Sequence, residues 1–308
     1  MSPTLSSSTS CMFATNKVLE LLNISTAFYT HAYQTVLDFD TSSLSAENKK
    51  TAQLLKYRAQ IALGQSSSVI SSLKSSKDAA SRSIVALAQQ SAGDASAVDT
   101  ASSLAESDPE DAVVQVVAGT VLAAAGEYPK AIELLNKHQG NLEAVALLTQ
   151  IHLMQNRTDR AVKEVQAAKR WAQDSLLINL AEAWTNLREG SSDKYQSAFY
   201  VYEELATTPG NTSPTAIVGQ AVAEIHLGRN EEAEAALQQA LAADNVDVQA
   251  LANNVVLASI LGKKSDAIQD LLKQLAAKDK EHALLKDLAE KSEAFDTAAA
   301  KYSAKAAA

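Results

Sequence analysis

The 308-residue sequence predicts an all-α fold, a solenoid of stacked helix pairs, from three observations. Hydrophobic residues make up 46% of the chain but aromatics only 5%, so the core must be built mainly from Ala, Leu and Val. Ala and Leu lose little side-chain freedom in a helix, and the residues that favour strands are less prominent. Six of the ten glycines follow an apolar helical stretch and precede, by a near-constant distance, a small or β-branched residue. The pattern recurs about every 33 residues, enough for one helix-turn-helix unit.

The units follow in order. His31, in Tyr29-Thr30-His31-Ala32-Tyr33, sets the first, with Val36 five residues on. Gly64 with Val69, Gly93 with Val98 and Gly126 with Ala131 mark the next three, and Asn156 with Ala161 the fifth. Gly190 reaches Ala198 across a three-residue insertion, and Gly228 with Ala233 and Gly262 with Ala267 close the series. Each slot residue is expected to end the first helix of a pair in a left-handed conformation, which costs most residues roughly 1–2 kcal/mol but suits Gly and, less well, Asn. Five residues later the second helix crosses back over the first, where a small side chain permits close approach. After Gly228, Ala233, Leu237 and Ala240 line one helix face at offsets of four and seven. The prolines respect this layout: Pro129 opens a helix, Pro109 follows one, and Pro209 and Pro214 bracket a turn. The units before Gly64 and Gly93 are degenerate, with Gln53 and Gln89 where bulk is expected.

This period and spacing resemble the tetratricopeptide repeat, whose helix pairs stack into a right-handed superhelix. Residues 1–16, rich in Ser and Thr, read as a disordered tail. Residues 17–308 read as a single solenoid closed by an amphipathic capping helix in the charged, Ala-rich stretch 278–308.

Charge and cysteine usage narrow the function. With 27 basic and 36 acidic residues the net charge is -9, which opposes binding to phosphate backbones and anionic lipids, so no nucleic-acid partner is expected. Cys11 is the single cysteine, which excludes an intrachain disulfide and points to a reducing, cytosolic setting. The start of the chain lacks the basic and apolar segments of a signal peptide. The most apolar stretch, Ala112 to Ala125, is too short to span a bilayer and reads as a buried helix. Asn23, Asn156 and Asn211 stand in glycosylation-type triplets, which mean little without entry into the secretory pathway.

No constellation suits catalysis or a cofactor. The glycines are accounted for by helix ends and form no phosphate-binding loop. His31, His138, His152, His226 and His282 are isolated, with no second His or Cys at metal-ligand spacing. Glu203-Glu204 and Glu231-Glu232 are adjacent pairs that point to different helix faces. Lys169-Arg170-Trp171 reads as helix-end charge. The residues predicted to face a groove, Val116, Thr120, Trp184 and Val222, are uncharged and are the partner-binding candidates. Trp184 reads equally as a partner anchor or as solenoid core.

A closer resemblance lies in the second half. Gln150-Ile151-His152-Leu153, Ala183-Trp184-Thr185-Asn186-Leu187-Arg188-Glu189-Gly190, Lys194-Tyr195-Gln196-Ser197-Ala198-Phe199-Tyr200, Gly219-Gln220-Ala221 and Gly228-Arg229-Asn230-Glu231-Glu232-Ala233 together resemble the epsilon subunit of coatomer. Leu21-Leu22-Asn23-Ile24-Ser25-Thr26-Ala27-Phe28-Tyr29 is similar to that family's opening, although His31 stands where the family usually has Gly. The resemblance implies a non-enzymatic subunit of the COPI coat, without cofactors, cytoplasmic and peripheral on Golgi membranes and coated vesicles. It implies the C-terminal region of the alpha subunit as direct partner, the rest of the coatomer heptamer around it, indirect membrane contact, and a role in Golgi-to-ER retrograde and intra-Golgi transport. The alternative is a general peptide-docking or co-chaperone adaptor, which would need basic residues along the groove.

Overall fold

A computed structural model describes residues 20–207, 214–242 and 247–302; the N-terminal tail expected over 1–16 lies outside them. Among the described residues there are helices and no strand. The first helix, α1, is helical through 20–29. It is followed by α2 (Tyr33–Asp38), α3 (Ala46–Ala62), α4 (Ser66–Leu73), α5 (Ala79–Ser91), α6 (Ser96–Ser107), α7 (Ala112–Ala124) and α8 (Tyr128–Leu135). Then come α9 (Leu142–Met154), α10 (Thr158–Lys169), α11 (Leu176–Glu189), α12 (Ser192–Thr207), α13 (Thr215–His226), α14 (Asn230–Leu241), α15 (Val248–Ile260), α16 (Ser265–Lys278) and α17 (Ala283–Ala299). Two compact units are distinguished, with the boundary inside α12. One holds the described residues up to Val201 with Thr207; the other holds Tyr202–Ala206 and the described residues from Pro214 onward.

Local chemistry sets the helix ends. Ser45, Asp78, Asp111, Asn141 and Asp247 accept backbone N–H bonds at the starts of α3, α5, α7, α9 and α15, and Pro129 sits in the first turn of α8. All eight slot residues have positive φ, from 57° at Asn156 to 83° at Gly190. In seven of them the next residue's N–H closes a six-residue loop back onto the first helix, as in Gln65 to the Gln60 carbonyl at 2.9 Å and Arg157 to the His152 carbonyl at 2.8 Å. This bond satisfies a carbonyl the helix end would otherwise orphan, and it requires the left-handed residue just before it.

The seam residues at Val36, Val69, Ala131, Ala161, Ala198 and Ala233 are buried, each at most 1% exposed. Two expected seam positions differ. Val98 is half-buried while Ala97 is fully buried beside it, and Ala267 is exposed. In both units the second helix starts three residues after the slot, at Ser96 and Ser265, instead of two. In α16 the later start turns the helix by about 100° per residue and carries Ala267 off the seam, whereas in α6 the seam position is taken by Ala97, one residue earlier than the spacing predicts. At the entry to α6 the Asp94 carboxylate accepts the Ser96 N–H at 2.9 Å.

In the first unit α3, α5, α7 and α9 each pack on their own second helix and on the first helix of the next pair. Ala118, Leu122, Ala131, Leu135 and Leu148 lie in one continuous core there. In the second unit Gly219 leaves room for the Tyr202 ring: a Cβ on that glycine would stand 2.4 Å from the ring's Cε1.

Candidate partner-binding groove

First helices of successive pairs present one face each to a common recess in the first unit. The face of α7 contributes Val116 and Thr120, α9 contributes Glu143, Ala146, Leu147 and Gln150, and α11 contributes Leu177, Leu180 and Trp184. The offsets of three, four and seven residues put these side chains in line along each helix. From the start of the chain come Phe28 and Tyr29 at the end of α1, the slot residue His31, Tyr33 at the start of α2, and Arg58 on α3. The recess encloses about 230 Å³.

A clasp joins its two sides. Arg58 Nη2 donates to Glu143 Oε2 at 2.7 Å, and the Tyr29 hydroxyl donates to Glu143 Oε1 at 2.9 Å. Tyr29 and Glu143 are 114 residues apart in sequence, so the stacked pairs must turn far enough to bring α1 against α9. Arg58 also lies over the Phe28 ring, 4.5 Å from its centroid, and Phe28 meets Tyr29 and Tyr33 edge-on. Asn141 caps α9 through the Glu143 N–H, which holds the carboxylate in the first turn where the helix dipole favours negative charge.

The electrostatics follow from burial and pairing. Burial pushes the Glu143 carboxyl upward, but the Arg58 charge and the hydrogen bonds from Arg58 and Tyr29 outweigh it and hold it below the usual glutamate range. Burial works against the Arg58 guanidinium, and Glu143 more than offsets that. The Tyr29 hydroxyl is driven well above its ordinary value by burial and then by the Glu143 charge; burial likewise raises Tyr33. The clasp is therefore a closed ion pair with a locked phenol donor. It leaves the recess without net charge and lined mainly by aromatic and aliphatic surface.

Three of the four groove candidates, Val116, Thr120 and Trp184, come together here. Val116 is nearly buried, Thr120 is half-buried with its hydroxyl donating to the Val116 carbonyl at 2.7 Å, and Trp184 is half-buried. Trp184 packs partly against the core of Val145, Val165, Ala168, Ile178 and Ala181 while also lining the recess, so both readings of it apply to one side chain. Val222 is half-buried on α13 in the second unit. Sequence reasoning missed Phe28, Tyr29, Tyr33, Arg58 and Glu143. The one available signal was the clustering of aromatics between 28 and 33 in an aromatic-poor chain.

The other motifs take structural places. Lys169 pairs with Glu182 of α11 at 2.7 Å. His282 accepts the Leu284 N–H at the start of α17. Among the described residues no group of three His, Cys, Asp or Glu is placed to hold a metal, and no helix is long and apolar enough to cross a membrane.

Comparison with known proteins decides the family. The family model described as the coatomer epsilon subunit matches residues 17–303. The chain belongs to the coatomer epsilon family. It is 31% identical over 278 residues to a probable coatomer subunit epsilon of Schizosaccharomyces pombe, covering 90% of this chain and 93% of that protein. It is 32% identical over 285 residues to coatomer subunit epsilon-1 of Arabidopsis thaliana, covering 90% and 95%. Among solved structures, a tetratricopeptide repeat protein from Parabacteroides merdae superposes with a TM-score of 0.59 at 14% identity, over 77% of this chain and 96% of that one. The APC/C hetero-tetramer Cut9–Hcn1 superposes with the same TM-score and identity, over 84% and 51%. These two likenesses establish the tetratricopeptide-like solenoid fold alone. Membership of the coatomer epsilon family makes the chain a structural coat subunit that works among other coatomer subunits, and not an enzyme.

Proposed function

We propose that the groove of the first unit binds the C-terminal region of the coatomer alpha subunit as an extended, largely uncharged segment and stabilises it within the COPI coat. The observation that carries this reading is the recess itself: aromatic and aliphatic walls, with its only close charges, Arg58 and Glu143, already spent on each other. A docking site for an acidic tail needs cations free to meet carboxylates. Arg58 is committed to Glu143, which speaks against the peptide-docking adaptor. On this reading the chain sits on the cytoplasmic side of Golgi membranes and coated vesicles, reaches the membrane only through other coat subunits, and serves Golgi-to-ER retrograde and intra-Golgi transport. Val116, Thr120 and Trp184 are its proposed contacts in the first unit and Val222 in the second.

The test is affinity of the purified full-length chain for the alpha subunit's C-terminal region, with Trp184→Ala as the probe. Trp184→Ala should weaken binding at least tenfold, as expected for a buried aromatic anchor. Because Trp184 also touches core, melting of the variant is measured alongside. Unchanged affinity in a folded Trp184→Ala variant would remove the groove from the account.

A further inference from the structure

We propose that the recess between α4, α5 and α6 docks a segment of another coatomer subunit in which Asp or Glu side chains stand beside aliphatic ones. The recess shares no residue with the groove, so the inference stands apart from the groove reading and rests only on the chain working among other coatomer subunits. In a chain of net charge -9, residues 48–93 carry seven Lys or Arg and one carboxylate, Asp78. Three of the seven cations are engaged. Lys56 Nζ donates to the Leu37 and Phe39 carbonyls at 2.9 and 2.7 Å, Arg58 is paired with Glu143, and Lys50 stands 4.0 Å from Asp78. Of the other four, Lys74 and Arg82 line one recess of about 560 Å³.

Arg82, Val85 and Gln89 follow at offsets of three and seven, so one stripe of α5 faces the recess, with Ile70, Leu73 and Lys74 from α4 and its end. Leu73 is buried and Ile70 and Val85 are half-buried, which sets an apolar wall beside two exposed charges. Among the described residues neither the Lys74 nor the Arg82 side chain forms an ion pair or a hydrogen bond. Arg82 is the fourth residue of α5, near the end where the helix dipole disfavours a cation, so the helix itself gives no reason for it. The neighbouring carboxylates are engaged: Asp78 accepts the Ser81 N–H at 3.0 Å, and Asp94 accepts the Ser96 N–H and the Gln89 amide. An incoming carboxylate would meet two unpaired cations, one of them a guanidinium able to hold it with two bonds. Aliphatic side chains beside it would cover Ile70 and Val85. An anionic membrane fits less well, because the apolar wall lies inside a cleft and the chain as a whole is negative.

The experiment measures the affinity of the full-length chain for coatomer lacking this subunit, at about 0.05 M and about 0.5 M salt. Lys74→Gln/Arg82→Gln should weaken binding roughly threefold to tenfold at the lower salt, the range of two exposed ion pairs, and much less at the higher, with Tm unchanged. Lys74→Glu/Arg82→Glu should weaken it further, while Lys137→Glu/Lys163→Glu, the same change of net charge away from the recess, should stay near the parent. A photo-crosslinking residue in place of Thr100, which lines the recess from α6, should capture an acidic, aliphatic segment of another subunit in the assembled coat. Unchanged affinity in both recess variants would overturn the proposal, as would an equal loss in the Lys137/Lys163 control. So would a captured segment without Asp or Glu, capture of a second copy of this chain, or no capture at all. Binding of the parent but not of Lys74→Glu/Arg82→Glu to phosphatidylserine vesicles would assign the recess to the membrane and overturn it too. Trp184→Ala separates the two sites: a loss there with intact binding in the recess variants sinks this inference alone, and the reverse sinks the groove reading alone.

Discussion

Glu143 in the first unit is part-buried and Glu224 in the second buried within helical packing, and they titrate in opposite directions. Glu143 receives Arg58 and the Tyr29 hydroxyl, and its carboxyl is held below the ordinary range. Glu224, 4% exposed on α13, accepts one bond from Gln220 Nε2 at 3.0 Å, while its Oε2 has no hydrogen-bond partner. Its carboxyl is raised, first by burial and further by the charges of Glu232 and Glu203, against the opposing effects of Gln220 and Arg229. Burial sets the size of the cost in both places; a positioned opposite charge sets its sign. The first unit has spent a buried charge on joining elements 85 residues apart, whereas the second bears one that its packing only tolerates.

The largest way to break that contrast is Glu143→Ala, which strands Arg58 beside the aromatic cluster. Urea unfolding should show a loss of about 3 kcal/mol, the lower end for a broken buried pair because the two side chains keep 17% and 21% of their surface in solvent. The double variant Arg58→Met/Glu143→Leu should recover much of it, and a single variant as stable as the parent would mean that the clasp holds nothing together.

Glu224→Gln should act in the opposite sense and raise stability at neutral pH by about 1 kcal/mol, because a stranded buried carboxylate is replaced by a neutral amide. The pH dependence sharpens the comparison. The raised Glu224 carboxyl contributes stability that is fully present below its ordinary value near 4.5 and is lost as pH rises through its folded value. The lowered Glu143 carboxyl contributes stability present above its ordinary value and lost as pH falls through its folded one. Unfolding measured from pH 7 to about pH 3 should therefore show a flatter acidic gain in Glu224→Gln and a flatter acidic loss in Glu143→Ala; identical profiles for the two would dissolve the distinction.

The smallest expected effect belongs to His152, buried in the last turn of α9 with Nδ1 lacking a hydrogen-bond partner. Burial first, with nearby Arg160 and Arg157 adding to it, holds its protonation below the ordinary value of 6.5 against the pull of Glu164 and Asp159. Its stabilising contribution is present above 6.5 and lost as pH falls toward the folded value. Melting curves at pH 7.5 and 5.5 should separate less in His152→Leu than in the parent, by a few degrees at most.

Much of the architecture was legible because its rules are local. A helix end that needs a left-handed residue selects Gly or Asn whatever surrounds it, so Gly64, Asn156 and Gly228 could be placed from the chain alone. The seam alanines Ala131, Ala161 and Ala233 followed from fixed spacing to those slots. Spacing failed at Val98 and Ala267, where the second helix enters in another register, earlier in α6 and later in α16, a shift that no count from the slot contains.

The sequence by itself determined the left-handed ends of the first helices, the period of the stack and the uncharged positions of α7 and α11, since each rests on interactions within a few residues. Only the tertiary structure decided that Tyr29, Arg58 and Glu143 meet, and that Val116, Thr120 and Trp184 share one recess with them. That outcome depends on the rotation accumulated over several stacked pairs. Small packing angles between neighbours add up along the stack, and no residue encodes their sum.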